Sequence, residues 1–158
     1  MADLTYTFMD SLSAAMVKKI NSQLGKFFDR PDKVTTKDSG IIVTLKSRLA
    51  GFLIFEQYKD SLMYNGRLNK YIGQKYIAWV FVMEAFRGQG IFKTMMLQAQ
   101  SQYSLIVLHE DSTDKKLLES YEKLGFVVVP EYTRLVSQEQ EDGSEGQLEQ
   151  YFMVWQKS

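Results

Sequence analysis

The sequence predicts a mixed α/β fold, with a mixed sheet and helices on both faces. Separate stretches with helical apolar spacing alternate with β-branched and aromatic runs of strand length. Tight polar turns join some of those runs, while helices join others, so antiparallel hairpins and strand–helix–strand crossovers occur in one chain.

Leu4 to Phe8 alternates like a short strand. Leu12 to Phe28 then places Leu12, Ala15, Met16, Ile20, Leu24, Phe27 and Phe28 on one helical face, with Asp10 or Ser11 as the expected cap. Asp29 to Gly40 is polar, carries Pro31 and reads as a loop. Ile41 to Leu45 and Leu49 to Tyr58 read as a hairpin turning at Lys46 to Arg48. Lys59 to Gln74 is a longer connection with an Asn65-Gly66 turn signal. Lys75 to Met83 is almost continuously apolar, as expected of a central strand covered on both faces. Glu84 to Gly90 is a glycine-containing loop, Ile91 to Tyr103 a helix and Ser104 to Leu108 a buried strand. Asp114 to Leu124 is a helix with Leu117, Leu118, Tyr121 and Leu124 on one face and Gly125 as its stop. Phe126 to Val129 and Tyr151 to Trp155 are the closing strands, and the acidic run Gln138 to Glu149 between them reads as a solvated hairpin tip, with a site for a basic partner as the alternative.

Composition narrows the function. The 158 residues show no internal repeat and no interdomain linker, and read as a single domain over residues 1–158. Lys plus Arg and Asp plus Glu number 19 each, a zero balance that argues against a dedicated nucleic-acid or anionic-membrane binder. With no Cys and a single His, His109, a disulfide scaffold, a thiolate nucleophile and a multi-His metal centre are excluded, and no metal is expected. The longest apolar run, Ile77 to Met83, is too short to span a bilayer. Met1 to Tyr6 lacks a basic stretch followed by an apolar one, so a soluble cytoplasmic protein is the expectation.

The most informative segment is Val82-Met83-Glu84-Ala85-Phe86-Arg87-Gly88-Gln89-Gly90-Ile91-Phe92. A strand runs into a loop with two glycines, and a helix follows at once. Gly88 and Gly90 let backbone amides turn inward, and the helix start adds further amides and the positive end of its dipole. Together they make an anion site. No Gly-Lys-Ser/Thr follows and no third glycine completes a dinucleotide fingerprint. A plain tight turn would explain the same glycines.

This segment resembles the signature of the GNAT superfamily of N-acetyltransferases, Arg/Gln-x-x-Gly-x-Gly/Ala, five residues after a strand valine. It reads Arg87-Gly88-Gln89-Gly90-Ile91-Phe92 after Val82, with Phe92 where the family has a small residue. A second family element, a helix ending in Tyr-x-x-x-Gly-Phe, is matched by Tyr121-Glu122-Lys123-Leu124-Gly125-Phe126. Asp114 stands where the family often has Asn, seven residues before that Tyr. The resemblance covers the chain from the first hairpin to Val154. It implies an α/β (mixed α+β) fold, a mostly antiparallel central sheet of six to seven strands flanked by about four helices.

The resemblance also implies an acyl-CoA-dependent N-acyltransferase, moving acetyl from acetyl-CoA to an amine acceptor, a small molecule or a protein amine. Gly88, Gln89, Gly90, Ile91, Phe92 and Lys93 would hold the pyrophosphate, with a charge contact from Arg87. Asp114 belongs to the same implied cofactor site. The pantetheine arm would lie along Val80, Phe81 and Val82, like an added strand. Direct attack on a thioester needs a deprotonated amine, a donor to the oxyanion and a proton for the leaving thiolate. The Val82 amide is the candidate donor and Tyr121 the candidate acid. Positions where family branches carry a base hold Ala78 and Tyr76, so the base falls to Glu110, on the same strand face as Leu108 and Ile106. His109 points the other way, and Glu84 is a weaker candidate in the turn.

Two other readings compete. One is a catalytically idle fold that binds acyl-CoA or a protein. The other is a toxin that acetylates aminoacyl-tRNA, which the zero net charge disfavours. The loops Asp29 to Gly40 and Lys59 to Gln74 are expected to shape the acceptor pocket. A homodimer is compatible with the sequence.

Overall fold

The computed structural model describes residues 3–27 and 34–158. Phe28 and most of the predicted loop from Asp29, including Pro31, lie outside the described residues. The strands are β1 (Thr5–Met9), β2 (Ser39–Leu45), β3 (Arg48–Gln57), β4 (Met63–Tyr64), β5 (Arg67–Leu68), β6 (Lys75–Val82), β7 (Leu105–Asp111), β8 (Val127–Val128), β9 (Arg134–Glu139) and β10 (Glu145–Gln156). The α-helices are α1 (Ala14–Phe27), α2 (Ile91–Gln102) and α3 (Lys115–Lys123), with 3₁₀ turns at Glu84–Phe86 and Pro130–Tyr132. The architecture is mixed α+β with mostly antiparallel strand pairing. The described residues hold three α-helices rather than about four.

The chain forms two compact units, one of Met1–Glu56 with Ile77–Gln102 and one of Gln57–Tyr76 with Tyr103–Ser158. In the first, β1, β2, β3 and β6 neighbour one another in that order. Alternation along β3 sends Phe52 and Ile54 to one face. There they meet Leu12, Ile20 and Leu24, with Trp79 and Phe81 of β6 and Met83 just past it packed alongside. The buried stripe Ile91, Met95, Met96 and Ala99 fixes the inner side of α2. Burying each large side chain contributes roughly 1.5–3 kcal/mol. The helix cap differs from expectation: Ser13 Oγ accepts the Met16 amide at 3.2 Å, and the ladder opens with Val17 N–H to Ser13 O, so neither Asp10 nor Ser11 caps α1. The β2–β3 turn is two residues, Lys46 and Ser47, both at positive φ, the geometry that matches strand twist.

The second unit is built on β10, which pairs antiparallel with β7 along one edge. Its other edge meets β8 at Met153 and Val154, and β9 from Glu145 to Gln150. Tyr58, Val107, Tyr132, Phe152 and Val154 form its core, with Tyr64, Tyr71 and Tyr76 packed against them. Arg134 to Ser137 of β9 lie in a stretch that the sequence left unassigned, and the expected tip Gln138 to Glu149 narrows to residues 140–144, because Gln138 and Glu139 end β9 and Glu145 opens β10. Polar residues on both faces of β9 hide the period-2 signal. The expected loop Lys59 to Gln74 contains the β4–β5 hairpin, turned by Asn65 and Gly66 at φ 52° and 79°.

The strand Lys75 to Met83 is less covered than its apolar run implies. Ile77 is buried, while Ala78 to Met83 are only half-buried. At its start β6 pairs parallel with β7 inside the second unit, Lys75↔Ile106 and Tyr76↔Val107.

Candidate functional site

The glycine loop belongs to the first unit. Met83 N–H donates to Ala50 O at 2.8 Å, so Met83 faces β3. Alternation then turns the Val82 amide and carbonyl toward the opposite edge. The Val82 carbonyl is taken there by Arg87 Nε at 3.0 Å. The Arg87 guanidinium also lies 5.7 Å from the Phe81 ring centroid. Arg87 is therefore tied into the end of β6, a role beyond the loose charge contact that the sequence suggested.

Gly88 and Gly90 have φ of 82° and 75°, left-handed values that favour glycine. A Cβ built on either would meet nothing within 4 Å, so both face open space. The helical ladder starts with Thr94 N–H to Gly90 O at 3.1 Å. The amides of Ile91, Phe92 and Lys93 precede that bond and have no acceptor within the helix. Ile91 is buried under α2 and Lys93 is exposed. Phe92, the residue that departs from the family signature, is half-buried, and no side chain lies within 4 Å of a Cβ built on Gly88 or Gly90. The loop thus fits an anion such as a pyrophosphate: open glycine backbone, a helix start and no acidic residue in the first turn.

Glu110, Asp114 and Tyr121 lie in the second unit. Tyr121 is buried, at 2 % exposure. Its placement follows from how α3 ends. Phe126 N–H donates to Tyr121 O, and Gly125 N–H donates to Glu122 O, the paired bonds of a Schellman motif, with Gly125 at φ 95°. The Phe126 and Tyr121 rings meet edge-on at 5.6 Å between centroids, closing the motif with an apolar contact. The Tyr-x-x-x-Gly-Phe spacing is thus a helix-stop device that fixes the tyrosine. Burial raises the Tyr121 phenol above its ordinary range, and the charges of Glu110 and Asp114 raise it further.

Glu110 is half-buried near the end of β7, opposite Tyr151. Burial pushes its carboxyl up to about 7, with the Asp111 amide bond lowering it and the charges of Asp114 and Asp111 raising it. Its Oε1 accepts the Asp111 amide at 3.1 Å. Asp114 caps α3, with Oδ1 accepting the Leu117 amide at 3.2 Å. Its carboxylate therefore has a structural duty at the position assigned to the cofactor.

Sequence reasoning pointed His109 away from the site and found no base at Tyr76, one of several tyrosines expected to line a mouth or pack in the core. The structure joins them: Tyr76 Oη and His109 Nδ1 are 2.9 Å apart. Phe152, Tyr76 and Tyr58 surround the imidazole at 5.2, 5.6 and 5.8 Å between ring centroids. Its Nε2 is buried without a partner. Burial pushes the imidazole down to about 3, helped by the charge of Arg134, so His109 is neutral at pH 7. The sequence signal was there in principle, because Tyr76 and His109 occupy facing strands; the register that pairs them was not readable. Glu84 is exposed in the first 3₁₀ turn. No group of three or more His, Cys, Asp or Glu among the described residues could hold a metal ion, and no described helix is long and apolar enough to cross a membrane.

The chain has the fold of the GNAT N-acetyltransferases. It is similar to NAA60 of Arabidopsis thaliana in complex with a bisubstrate analogue, at 15% identity and TM-score 0.67, over 98% of this chain and 99% of that one. It is similar to the ribosomal-protein-S18-alanine N-acetyltransferase of Escherichia coli, at 14% identity and TM-score 0.69, over 98% and 95% of the two chains. It is also similar to a putative acetyltransferase of Salmonella typhimurium, yncA, solved with acetyl-CoA, at 16% identity and TM-score 0.60, over 98% and 94%. No family model matches the sequence, and no curated protein does.

Proposed function

We propose that this chain is an N-acetyltransferase that uses acetyl-CoA and delivers the acetyl group to a primary amine by direct attack in a ternary complex. The observation that carries this reading is the loop after β6: two left-handed glycines that face open space, followed at once by a helix start. Structures of the same fold solved with acetyl-CoA support the choice of ligand.

The residues divide the work. The amides from Gly88 to Lys93 bind the pyrophosphate, and the β6 edge at Val80 and Val82 pairs with the amide-rich arm, with Phe81 beneath it. Arg87 holds the Val82 carbonyl and so orients that stretch of backbone. The Val82 amide donates to the developing oxyanion. Glu110, poised near neutrality, takes the proton of the acceptor amine, and Tyr121, protonated at neutral pH, gives one to the leaving thiolate. Acetyl-CoA supplies the activated acyl group.

The test offers a library of primary amines and amino-terminal peptides with acetyl-CoA, reading free thiol and the acetylated product by mass spectrometry. An acetylated amine formed at a catalytic rate is the expected result. Tight acetyl-CoA binding with no acceptor consumed would support the idle-fold reading instead. Absence of binding would overturn both.

A further inference from the structure

Exposed large apolar side chains gather on one short segment. Leu62, Met63, Leu68 and Ile72 are 47, 59, 51 and 38% exposed, and all belong to the β4–β5 hairpin and its flanks. Scattered single exposures need no explanation, but a cluster does. This cluster is held rigidly. Asp60 Oδ2 accepts both Tyr58 Oη at 2.9 Å and Tyr64 Oη at 2.8 Å, and Oδ1 accepts the Leu62 amide at 2.9 Å. The Lys70 amide donates to Tyr132 Oη at 3.2 Å, and buried Asn69 donates to Tyr58 Oη at 3.3 Å.

Cations flank the apolar side chains. Lys59, Arg67 and Lys70 are exposed, whereas Asp60, the only acid of the segment, is spent on the two tyrosines. A hollow of about 490 Å³ opens between Arg67, Leu68, Lys70 and Tyr132, with Glu131 at its rim. Whatever covers this face must be anionic with some apolar surface.

The chain itself carries such a surface. On the β9–β10 hairpin, Leu135 is 61% exposed. Period-2 alternation puts it on one face with Glu139, and the register adds Glu145 and Glu149, directly opposite Glu139 and Leu135. Like charges directly opposite across a ladder destabilise it, so the Glu139–Glu145 pair is unfavourable unless a cation sits against it. The two hairpins rise from one region of the second unit: Tyr64 and Tyr132 meet edge-on at 5.1 Å between centroids, just before β9 begins.

We propose that a second copy of this chain covers this face. In a two-fold dimer, the cationic apolar β4–β5 hairpin of each copy lies against the acidic β9–β10 hairpin of the other. A two-fold interface must be self-complementary, and a patch with both halves side by side is. The zero net charge of the chain conceals this segregation of signs.

Analytical ultracentrifugation of the full chain tests the proposal through two charge reversals, Arg67→Glu with Lys70→Glu, and Glu139→Lys with Glu145→Lys. The wild type is expected to dimerise at low salt and to dissociate as salt rises. Each double variant should weaken dimerisation at least about 100-fold, because like charges then face each other. Mixing the two variants should restore a dimer, since every contact again joins opposite signs, and that rescue also shows that both variants fold. A monomeric wild type at about 100 μM in low salt would overturn the proposal. So would a dimer that neither reversal weakens, or a monomer that binds anionic vesicles through the same cations.

Discussion

Glu110 gives a prediction in which stability and activity move in opposite directions. Its carboxyl rises from an ordinary 4.5 to about 7, chiefly through burial. At about 1.36 kcal/mol per tenfold, that shift corresponds to about 3 kcal/mol. The group is only half-buried, and solvent screening reduces the figure to about 1–2 kcal/mol. A carboxyl whose folded value lies above its unfolded one holds more protons folded than unfolded between the two. Stability therefore falls as pH rises from 4.5 to about 7, and the cost is complete above that window. Glu110→Gln removes the ionisation. The variant should match the wild type near pH 4 and exceed it by about 1–2 kcal/mol at pH 8.5, about 3–6 °C in Tm. As an acetyltransferase it should lose about 10²–10⁴-fold in kcat/KM, together with the acid limb that the wild type shows near 7. Denaturant melts at both pH values and a pH–rate profile are the assays. If wild type and variant change stability in parallel across the range, the carboxyl is not strained and the reasoning fails. A variant that keeps wild-type activity removes Glu110 from the mechanism.

Tyr121→Phe keeps the ring against Phe126 and removes one hydroxyl, so packing and CoA affinity should barely change while kcat falls by about 10²–10⁴-fold; turnover at the wild-type level with a saturating acceptor would refute the assignment. Because burial raises the Tyr121 phenol above its ordinary value of 10.0, the wild type should show no alkaline decline in rate below that pH. Gly90→Val places a branched side chain at φ 75° on the open side of the loop, and calorimetry should show CoA binding abolished in a folded protein; unchanged affinity would exclude the loop as the binding element. The His109 imidazole, pushed down to about 3, should keep constant proton chemical shifts from pH 5 to about pH 9, and a titration near its ordinary 6.5 would show that the ring is not enclosed.

The sequence made the order of helices and strands legible wherever one face is buried. The α1 and α3 stripes and the β2–β3 hairpin follow from periodicity, and the glycine loop from its two glycines beside a helix start. β9 was not legible, because Ser137, Gln138 and Glu139 present polar groups to both sides. The limited cover over β6 was not legible either. An apolar run reports that a strand can be buried, and how far it is buried depends on neighbours distant in sequence. The same holds for the Tyr76–His109 pair, which depends on strand register across 33 residues. The raised Glu110 carboxyl arises from burial by other elements, although its place on the apolar face of β7 was visible from alternation.

Two motifs that look alike as signatures differ in physical standing. The Tyr-x-x-x-Gly-Phe element is fully accounted for by folding. Gly125 takes the left-handed position, the amides of Gly125 and Phe126 close the helix, and the Phe126 and Tyr121 rings pack. None of these contacts uses the Tyr121 hydroxyl. The glycine loop is the reverse case. Gly88 and Gly90 adopt strained-for-others conformations, yet a Cβ on either would touch nothing within 4 Å, so internal packing does not explain them. A left-handed backbone facing open space beside a helix start suits a tight turn and leaves room for an anion against its amides. Under the proposed function the two motifs act through different atoms: the loop through its backbone amides, the helix end through a single hydroxyl.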